Sequence, residues 1–195
     1  MSILYTADLH LGHANVLKFE DRGCKTLEQM NILLRDAWNN RVCKQDSVYI
    51  IGDIAMGYKK MGWSFDDLVA YIKSLNGKKI LIIGNHDYDI SKLRSSGCFE
   101  EIKDYARIKD GEHTVILFHY PIAVWDKQHW GSIHVYGHTH TSNFKTCFAD
   151  LTKAKNAYCA SVGEIGYAPW SLEEFKKAYG YDAEAYLPSK TNSSN

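Results

Sequence analysis

Apolar residues along the chain occur in two patterns: short uninterrupted runs, and longer stretches in which they recur every three or four positions. The uninterrupted runs are rich in Ile, Val, Leu and Tyr and occupy residues 3–7, 47–51, 79–83, 114–118 and 133–136. Runs of this length and composition predict β-strands that are buried on both faces. Residues 156–163 predict a further strand, and Asp110-Gly111 within residues 99–118 predicts the turn of a β-hairpin.

Three stretches have the apolar spacing of amphipathic helices. Residues 26–42 repeat apolar side chains on one face, and Thr26 and Gln29 at their start have the spacing of a capping box. Residues 64–77 open on a serine that can cap a helix, place acidic residues in the first turn and end in Asn-Gly. We expect a third helix to begin at Ser171, because a glutamate follows it at capping-box spacing.

The order strand, helix, strand, helix predicts an α/β layered fold, with parallel pairing near the start of the chain and antiparallel strands added later. A chain of 195 residues is long enough for one domain with its own core and short for two. We expect a single domain over residues 1–187 and a disordered polar tail over residues 188–195. In folds of this kind the functional crevice lies at the carboxyl ends of the strands.

Composition and charge narrow the classes of partner. Lys plus Arg and Asp plus Glu number 23 each, so the formal net charge is +0, and no long-range field favours nucleic acid or an anionic membrane. The first residues lack a cationic leader, and no run approaches the roughly 18 apolar residues that span a bilayer. These features predict a soluble, cytoplasmic protein. The five cysteines form no CxxC pair, which is a poor match to a structural zinc site or a disulfide framework.

Side chains of the types that bind metals or transfer protons follow five predicted strands in succession. In chain order they are Asp8 and His10, then Asp53, then Asn85, His86 and Asp87, then His119, and finally His138 and His140. A single histidine after a strand is most often an ordinary hydrogen-bonded loop residue. Because carboxyl ends of neighbouring strands form one crevice, the repetition at five ends indicates a shared site rather than coincidence.

The types and number of these residues indicate the kind of metal site. Carboxylate, imidazole and amide groups without thiolate favour Mn²⁺, Fe or Zn²⁺ in a mixed oxygen and nitrogen shell. Two ions suit the seven candidate ligands better than one, namely Asp8, His10, Asp53, Asn85, His119, His138 and His140. Two ions about 3.5 to 4 Å apart can clamp both oxygens of an in-line phosphoryl displacement and convert a bridging water to hydroxide near neutral pH.

With these residues the chain resembles the calcineurin-like metallophosphoesterases. That family is marked by ordered blocks of the form DxH, GDxx, GNH(D/E), a lone His and GHxH. This chain carries them as DLH at residues 8–10, GDIA at 52–55, GNHD at 84–87, His119, and GHTH at 137–140. The small size and the DLHLGH form of the first block resemble a compact bacterial and phage branch without a cap domain. The resemblance implies a four-layer αββα sandwich, in which two mixed β-sheets are flanked by helices and a dimetal site lies at the C-terminal ends of the strands.

The resemblance also implies a role for each site residue. One metal would be held by Asp8, His10 and His140, the other by Asn85, His119 and His138, and Asp53 would bridge them. His86 would be the general acid that protonates the leaving oxygen, and Asp87 would orient and charge its imidazole. Asn85 is also a candidate for contacting the substrate. The cofactors would be two divalent transition-metal ions, with Mn favoured and Fe, Zn, Ni or Co as alternatives.

Two features depart from the family pattern or extend it. Many members continue GDxx as GDxxDR, whereas this chain reads GDIAMG at residues 52–57. The role of the absent Asp and Arg is therefore either dispensed with or supplied by another residue. The DLHLGH block also places His13 on the loop that carries His10. His13 either contacts a substrate phosphate or a ligand, or is an exposed loop residue or helix cap.

The leading functional prediction is a hydrolase of phosphomonoesters or phosphodiesters that acts on a small phosphorylated substrate, with nucleotides among the candidates, and that has no membrane partner. A nuclease for DNA or RNA shares the same blocks, but the zero net charge and the lack of an evident basic and aromatic stripe do not favour it. A non-catalytic metal-binding scaffold is a third alternative, and the complete ligand set argues against it. The sequence leaves the substrate, the native metal and the oligomeric state open.

Overall fold

The computed structural model describes residues 1–140 and 155–182 of the chain. Within these ranges the chain forms two mixed β-sheets and six α-helices. The observed architecture confirms the predicted α/β fold of two mixed sheets with helices. The predicted tail, residues 188–195, lies outside the described residues.

Five strands form the first sheet, in the spatial order β4-β3-β2-β1-β9. They are β1 (Ile3–Thr6), β2 (Ser47–Ile51), β3 (Lys78–Ile82), β4 (Glu101–Lys103) and β9 (Trp170–Ser171). Strands β1 to β4 are parallel, and β9 pairs antiparallel with β1. The parallel pairing places the carboxyl ends of β1, β2 and β3 side by side, and those are the ends that candidate ligands follow.

Four strands form the second sheet, in the order β5-β6-β7-β8. They are β5 (Ala106–Asp110), β6 (His113–Leu117), β7 (Ile133–Tyr136) and β8 (Ala157–Cys159). Strands β5 and β6 form the hairpin predicted around Asp110-Gly111, and β6, β7 and β8 are parallel. The hairpin is shorter than the expected span of residues 99–118, because β4 pairs with β3 in the first sheet instead.

The helices are α1 (Val16–Phe19), α2 (Leu27–Arg41), α3 (Phe65–Ser74), α4 (Ile90–Ser96), α5 (Val162–Ile165) and α6 (Leu172–Tyr179). Ser64 and Ser171 cap α3 and α6 through complete capping boxes. Thr26 caps α2 by accepting from the backbone of Gln29, whose side chain accepts from the backbone of Lys25. Among the described residues, no helix has the length and apolar character needed to cross a membrane.

The apolar core is divided by the two sheets. One cluster packs the outer face of the first sheet against α2, α3 and α4, and includes Trp38 and Ile72. A second cluster joins the two sheets and is closed at one side by Phe175 of α6, which stacks on Tyr158 of β8. The third cluster lies on the second sheet and is covered, among the described residues, by the segment between β6 and β7 that carries Trp125. That segment contains the 3₁₀ helix Gln128–Trp130.

His134 of β7 anchors this covering segment to the second sheet. Its Nε2 accepts a hydrogen bond of 3.2 Å from the backbone N–H of Ile122, so its Nδ1 carries the proton donated to the carbonyl of Ile116 at 3.1 Å. The ring also packs 5.3 Å from the rings of Trp125 and Tyr136. Burial lowers the pKa of His134 to about 4. The fold therefore requires the neutral imidazole.

We expect His134 to make the stability of the protein depend on pH. The pKa of this imidazole is about 6.5 in the unfolded chain and about 4 in the folded protein. Between these pH values the unfolded chain is protonated at His134 and the folded protein is not, so the free energy of unfolding falls as pH decreases through this window. A His134→Gln variant lacks this titration. The variant should be less stable than the unsubstituted protein at pH 7, and this difference in free energy of unfolding, measured in urea, should decrease by about 3 kcal/mol between pH 7 and pH 4.

The exposed His129 supplies the control for this prediction. His129→Gln should follow the unsubstituted protein at every pH, because its imidazole is exposed in the native state. A deficit of His134→Gln that stays constant from pH 7 to pH 4 would show that the buried imidazole does not control this dependence.

Candidate metal centre

Side chains that follow β1, β2, β3, β6 and β7 converge at one edge of the two sheets. The seven residues brought together are Asp8, His10, Asp53, Asn85, His119, His138 and His140. Each has a polar side-chain atom that lies between 2.9 and 3.9 Å from a polar atom of another member. The candidate ligands predicted from the sequence therefore share one site.

An unusual backbone conformation directs most of these side chains inward. Asp8, His10, Asp53, His138 and His140 have positive φ values of 50° to 68°. Residues other than glycine rarely adopt this left-handed region, and each such residue costs on the order of 1–3 kcal/mol. Strain of this kind persists only where the surrounding structure enforces it, and it is concentrated at functional sites.

Two glycines allow the backbone to approach the carboxylates closely. A Cβ atom at Gly84 would overlap the carboxylate and backbone nitrogen of Asp53, and a Cβ at Gly137 would lie 2.8 Å from Oδ2 of Asp8. Real Cβ atoms do not make such contacts. The glycines of the GNHD and GHTH blocks are therefore required by the packing of the site.

The first ligand group consists of Asp8, His10 and His140, whose potential ligand atoms lie within 4.8 Å of one another. The Nε2 atoms of the two histidines are 3.1 Å apart, and Nε2 of His140 is 3.9 Å from Oδ1 of Asp8. Burial lowers the pKa of His10 to about 3. His10 is therefore neutral at physiological pH, which is the state in which imidazole binds a metal.

The second ligand group consists of Asn85, His119 and His138. Oδ1 of Asn85 is 3.0 Å from Nε2 of His119 and 2.9 Å from Nδ1 of His138. Nδ1 of His119 donates to the backbone carbonyl of Ile51 at 2.9 Å. This bond fixes the ring and turns its Nε2 toward the site.

Asp53 lies between the two groups. Its Oδ2 is 3.6 Å from Nε2 of His10 and 3.5 Å from Nε2 of His119. Burial raises the pKa of Asp53, but the hydrogen bond and charge of His119 outweigh burial and lower it to about 2. Burial in turn lowers the pKa of His119, and the two neighbouring aspartates outweigh it and raise the value to about 8. The Asp53 carboxylate is therefore ionised at neutral pH.

The donor set fits a divalent metal ion. Two carboxylates, four imidazoles and one amide converge here, and the groups Asp8, His10, His140 and Asp8, Asp53, His119 each have the spacing to hold an ion. Mixed nitrogen and oxygen donors of this kind suit Mn, Fe and Zn.

His86 lies beside the first ligand group. Its backbone N–H donates to Oδ1 of Asp53 at 2.8 Å, and its ring is 5.6 Å from the ring of His10. Within the described part of the chain, its buried Nδ1 has no hydrogen-bond partner. His13 lies nearby, with its ring 5.2 Å from that of His10 and 6.5 Å from that of His86. Both imidazoles therefore border the site at the same side.

Asp87 makes different contacts from those expected. Its two carboxylate oxygens accept backbone N–H groups of Asp53, Ile54 and Gly84 at 2.8 to 2.9 Å. Among the described residues, no hydrogen bond joins Asp87 to the His86 imidazole. The prediction that Asp87 orients this imidazole is therefore wrong. Asp87 instead fixes the turn that carries Asp53. Burial raises its pKa to about 6, although the backbone donors act in the opposite direction.

Three polar residues that contact the ligand groups were not predicted from the sequence. Glu20 accepts from Nδ1 of His140 at 2.7 Å, Arg22 donates to the backbone carbonyl of Asp8 at 3.0 Å, and Ser161 donates to Oδ2 of Asp8. Ser161 follows β8 as the ligands follow their strands, so the same strand-end signal could have found it. Glu20 and Arg22 lie in a polar loop without a comparable signal.

Comparisons with known proteins give relatives of similar length. No protein-family model matches the chain. The Gene 66 protein of Mycobacterium phage L5 is 32% identical, over 70% of this chain and 76% of its own length. The Gene 66 protein of Mycobacterium phage D29 is 31% identical, over 72% of this chain and 79% of its own length. An uncharacterized protein of Methanocaldococcus jannaschii is 28% identical, over 88% and 87% of the two lengths.

A solved structure shows the same fold. A protein of unknown function from Aquifex aeolicus superposes with a TM-score of 0.69 at 24% identity, covering 90% of this chain and 98% of that one. Pseudomonas putida nuclease MPE (TM-score 0.45, 20% identity, 71% and 60% covered) and the E. coli phosphoesterase Yfce (0.42, 12%, 83% and 78%) are too distant to assign an activity. Because the two phage proteins match over 76% and 79% of their lengths, the chain belongs to the same family as the mycobacteriophage Gene 66 proteins.

Proposed function

We propose that this protein is a dimetal-dependent phosphoesterase that hydrolyses phosphomonoesters or phosphodiesters. The observation that carries the proposal is the position of the Asp53 carboxylate between two groups of nitrogen and oxygen donors, 3.6 Å from His10 and 3.5 Å from His119. A carboxylate in this place can contact two ions at once. The resemblance of the five strand-end blocks to calcineurin-like metallophosphoesterases supports the same proposal.

The chain's own residues would divide the work of the reaction. Asp8, His10 and His140 would hold one ion, Asn85, His119 and His138 would hold the other, and Asp53 would bridge them. Two divalent ions, with Mn²⁺ favoured, would activate water and offset the negative charge of the phosphoryl oxygens. The site residues would supply orientation and proton transfer around that centre.

His86 is proposed as the proton donor to the leaving oxygen. Its ring borders the first ligand group, and its backbone bond to Asp53 fixes its position relative to the proposed bridging carboxylate. Its Nδ1 is buried and has no partner among the described residues, so Nε2 is the nitrogen from which the proton would be donated. Because Asp87 does not bind the ring, the imidazole would rely on packing and substrate for its orientation. His13 and Asn85 are proposed to contact the substrate phosphate.

The first test is a change in the proposed bridging ligand. Asp53→Asn retains the size of the side chain but removes the charge, so we expect loss of bound metal and a fall in nitrophenyl phosphate ester hydrolysis of at least about 100-fold with Mn²⁺ present. Metal content per chain would be measured by mass spectrometry beside the rate.

Asp126→Asn is the matched control for this substitution, because Asp126 pairs with Arg107 at a half-exposed position and contacts no candidate ligand. It should retain both metal and activity. Full metal content and rate in Asp53→Asn would contradict the proposed function. A metal-loaded protein that hydrolyses no ester in a broad panel would instead indicate a scaffold.

The second test concerns the leaving group. A proton donor matters most when the departing alkoxide is a strong base, so His86→Ala should reduce hydrolysis of alkyl phosphate esters by about 100-fold or more and that of nitrophenyl esters much less. The rates would be measured against leaving-group pKa, with His129→Ala as a histidine control away from the site. An equal loss for all esters would argue against proton donation by His86.

A nuclease is the second candidate, and one structural observation favours it. Tyr88 and Tyr120 are 62% and 39% exposed, and their rings lie 6.4 Å from His86 and 4.6 Å from His138. Exposed aromatic rings beside each of the two ligand groups can stack on nucleobases.

If the substrate is a nucleic acid, Tyr88→Leu and Tyr120→Leu should raise KM for single-stranded oligonucleotides by about 10-fold each, and cleavage should weaken with added salt. Hydrolysis of nitrophenyl phosphate should not change. Trp130→Leu serves as the control, since the exposed Trp130 precedes β7 and lies away from its carboxyl end. Unchanged oligonucleotide kinetics in both tyrosine variants would leave hydrolysis of small esters as the supported function.

A further inference from the structure

The loop between α1 and α2 contains a buried ion pair that no part of the proposed reaction uses. Arg22 is 1% exposed and Glu20 is 7% exposed. The Nε and Nη2 atoms of Arg22 both lie 2.8 Å from Oε2 of Glu20. Buried charges of this kind are costly unless their hydrogen-bonding capacity is used, so the remaining contacts of the pair are informative.

Arg22 directs its remaining donors to the backbone that carries two candidate ligands. Its Nη1 donates to the carbonyl of Leu9 at 2.8 Å, and its Nη2 donates to the carbonyl of Asp8 at 3.0 Å. Both peptide groups lie between Asp8 and His10, which have left-handed backbone conformations. The guanidinium thus holds the strained segment through its backbone, while the side chains of Asp8 and His10 remain directed to the site.

Glu20 directs its other oxygen to the third member of the same ligand group. Nδ1 of His140 donates to Oε1 of Glu20 at 2.7 Å, which leaves the lone pair of Nε2 facing His10 and Asp8. Asp8 and His140 are far apart in sequence, and the two residues of the loop contact both. A carboxylate that binds the remote nitrogen of a ligating histidine fixes its tautomer and orientation and increases its affinity for metal.

We propose that Glu20 and Arg22 are positioning residues that selectively give the first ligand group, Asp8, His10 and His140, its affinity for a metal ion. The inference rests on the proposed dimetal function. The selectivity follows from the second group, because His119 is oriented by the backbone carbonyl of Ile51 rather than by this loop. The buried Arg22 cannot reach a substrate, so its effect on hydrolysis would be exerted through the ligands.

The test measures metal binding directly. Purified protein is stripped of metal and dialysed against buffered Mn²⁺ over a range of free concentrations, and bound Mn²⁺ per chain is counted by mass spectrometry. Glu20→Gln should lower the affinity for one of the two Mn²⁺ ions by about 10- to 100-fold and leave the affinity for the other unchanged. The increase in melting temperature on adding Mn²⁺ should shrink, whereas a merely structural change would lower the melting temperature with and without metal by the same amount.

A double variant separates positioning from folding. Glu20→Gln leaves the Arg22 charge buried without its carboxylate and can unfold the loop. Glu20→Gln combined with Arg22→Met removes both charges and roughly preserves the volume of both side chains, so no unpaired charge stays buried. Without metal, the double variant should melt closer to the unsubstituted protein than Glu20→Gln alone does. It should still lose affinity for one ion.

Glu174→Gln is the matched control, because Glu174, in the first turn of α6, also accepts a hydrogen bond of 2.8 Å from an arginine, Arg41. It should bind both ions normally. The inference is overturned if Glu20→Gln and the double variant bind two ions with unchanged affinity, or if their affinities for both ions fall equally. Failure of the unsubstituted protein to bind two ions would refute the proposed function rather than the positioning of one site by the loop.

Discussion

The carboxylate of Asp53 is the point on which the arrangement of both sheets depends. One oxygen accepts the backbone N–H of His86, and the other faces His10 and His119. These three residues follow β3, β1 and β6, so one side chain joins the ends of two strands of the first sheet to one of the second. The sheets must therefore be packed with their carboxyl ends together, and the apolar cluster between them supplies the area that makes this packing favourable.

The site is stabilised by its surroundings rather than by its own residues. Left-handed backbone at five ligand positions and several buried titratable groups all oppose folding. They are offset locally by hydrogen bonds that occupy the polar atoms, such as the three backbone donors to Asp87. The larger contribution comes from three apolar clusters that fix the strands whose ends carry the site.

The sequence predicted the strands and the meeting of the candidate ligands well, because both depend on local patterns. The period of apolar runs defines β1, β2 and β3, and their parallel pairing brings together the loop residues at their carboxyl ends. The contacts of Asp87 could not be predicted, since adjacency to His86 in sequence does not tell which way a carboxylate turns at the end of a strand. Glu20 and Arg22 were missed for a related reason: their partners are distant in sequence, and the loop has no periodicity.

The balance of charge within the site differs from that of the whole chain. The chain has a formal net charge of +0, yet four carboxylates of this region, those of Asp8, Glu20, Asp53 and Asp87, are all buried. The buried guanidinium of Arg22 pairs with Glu20. Burial raises the pKa of Asp8 and of Asp87, because an ionised carboxylate loses its hydration there. A phosphate ester is itself negatively charged, so ionised carboxylates at this edge would repel it unless cations offset their charge. The neutral composition of the protein and the acidic character of its centre are therefore compatible, because divalent ions held by these ligands, rather than lysine or arginine, would provide the positive charge.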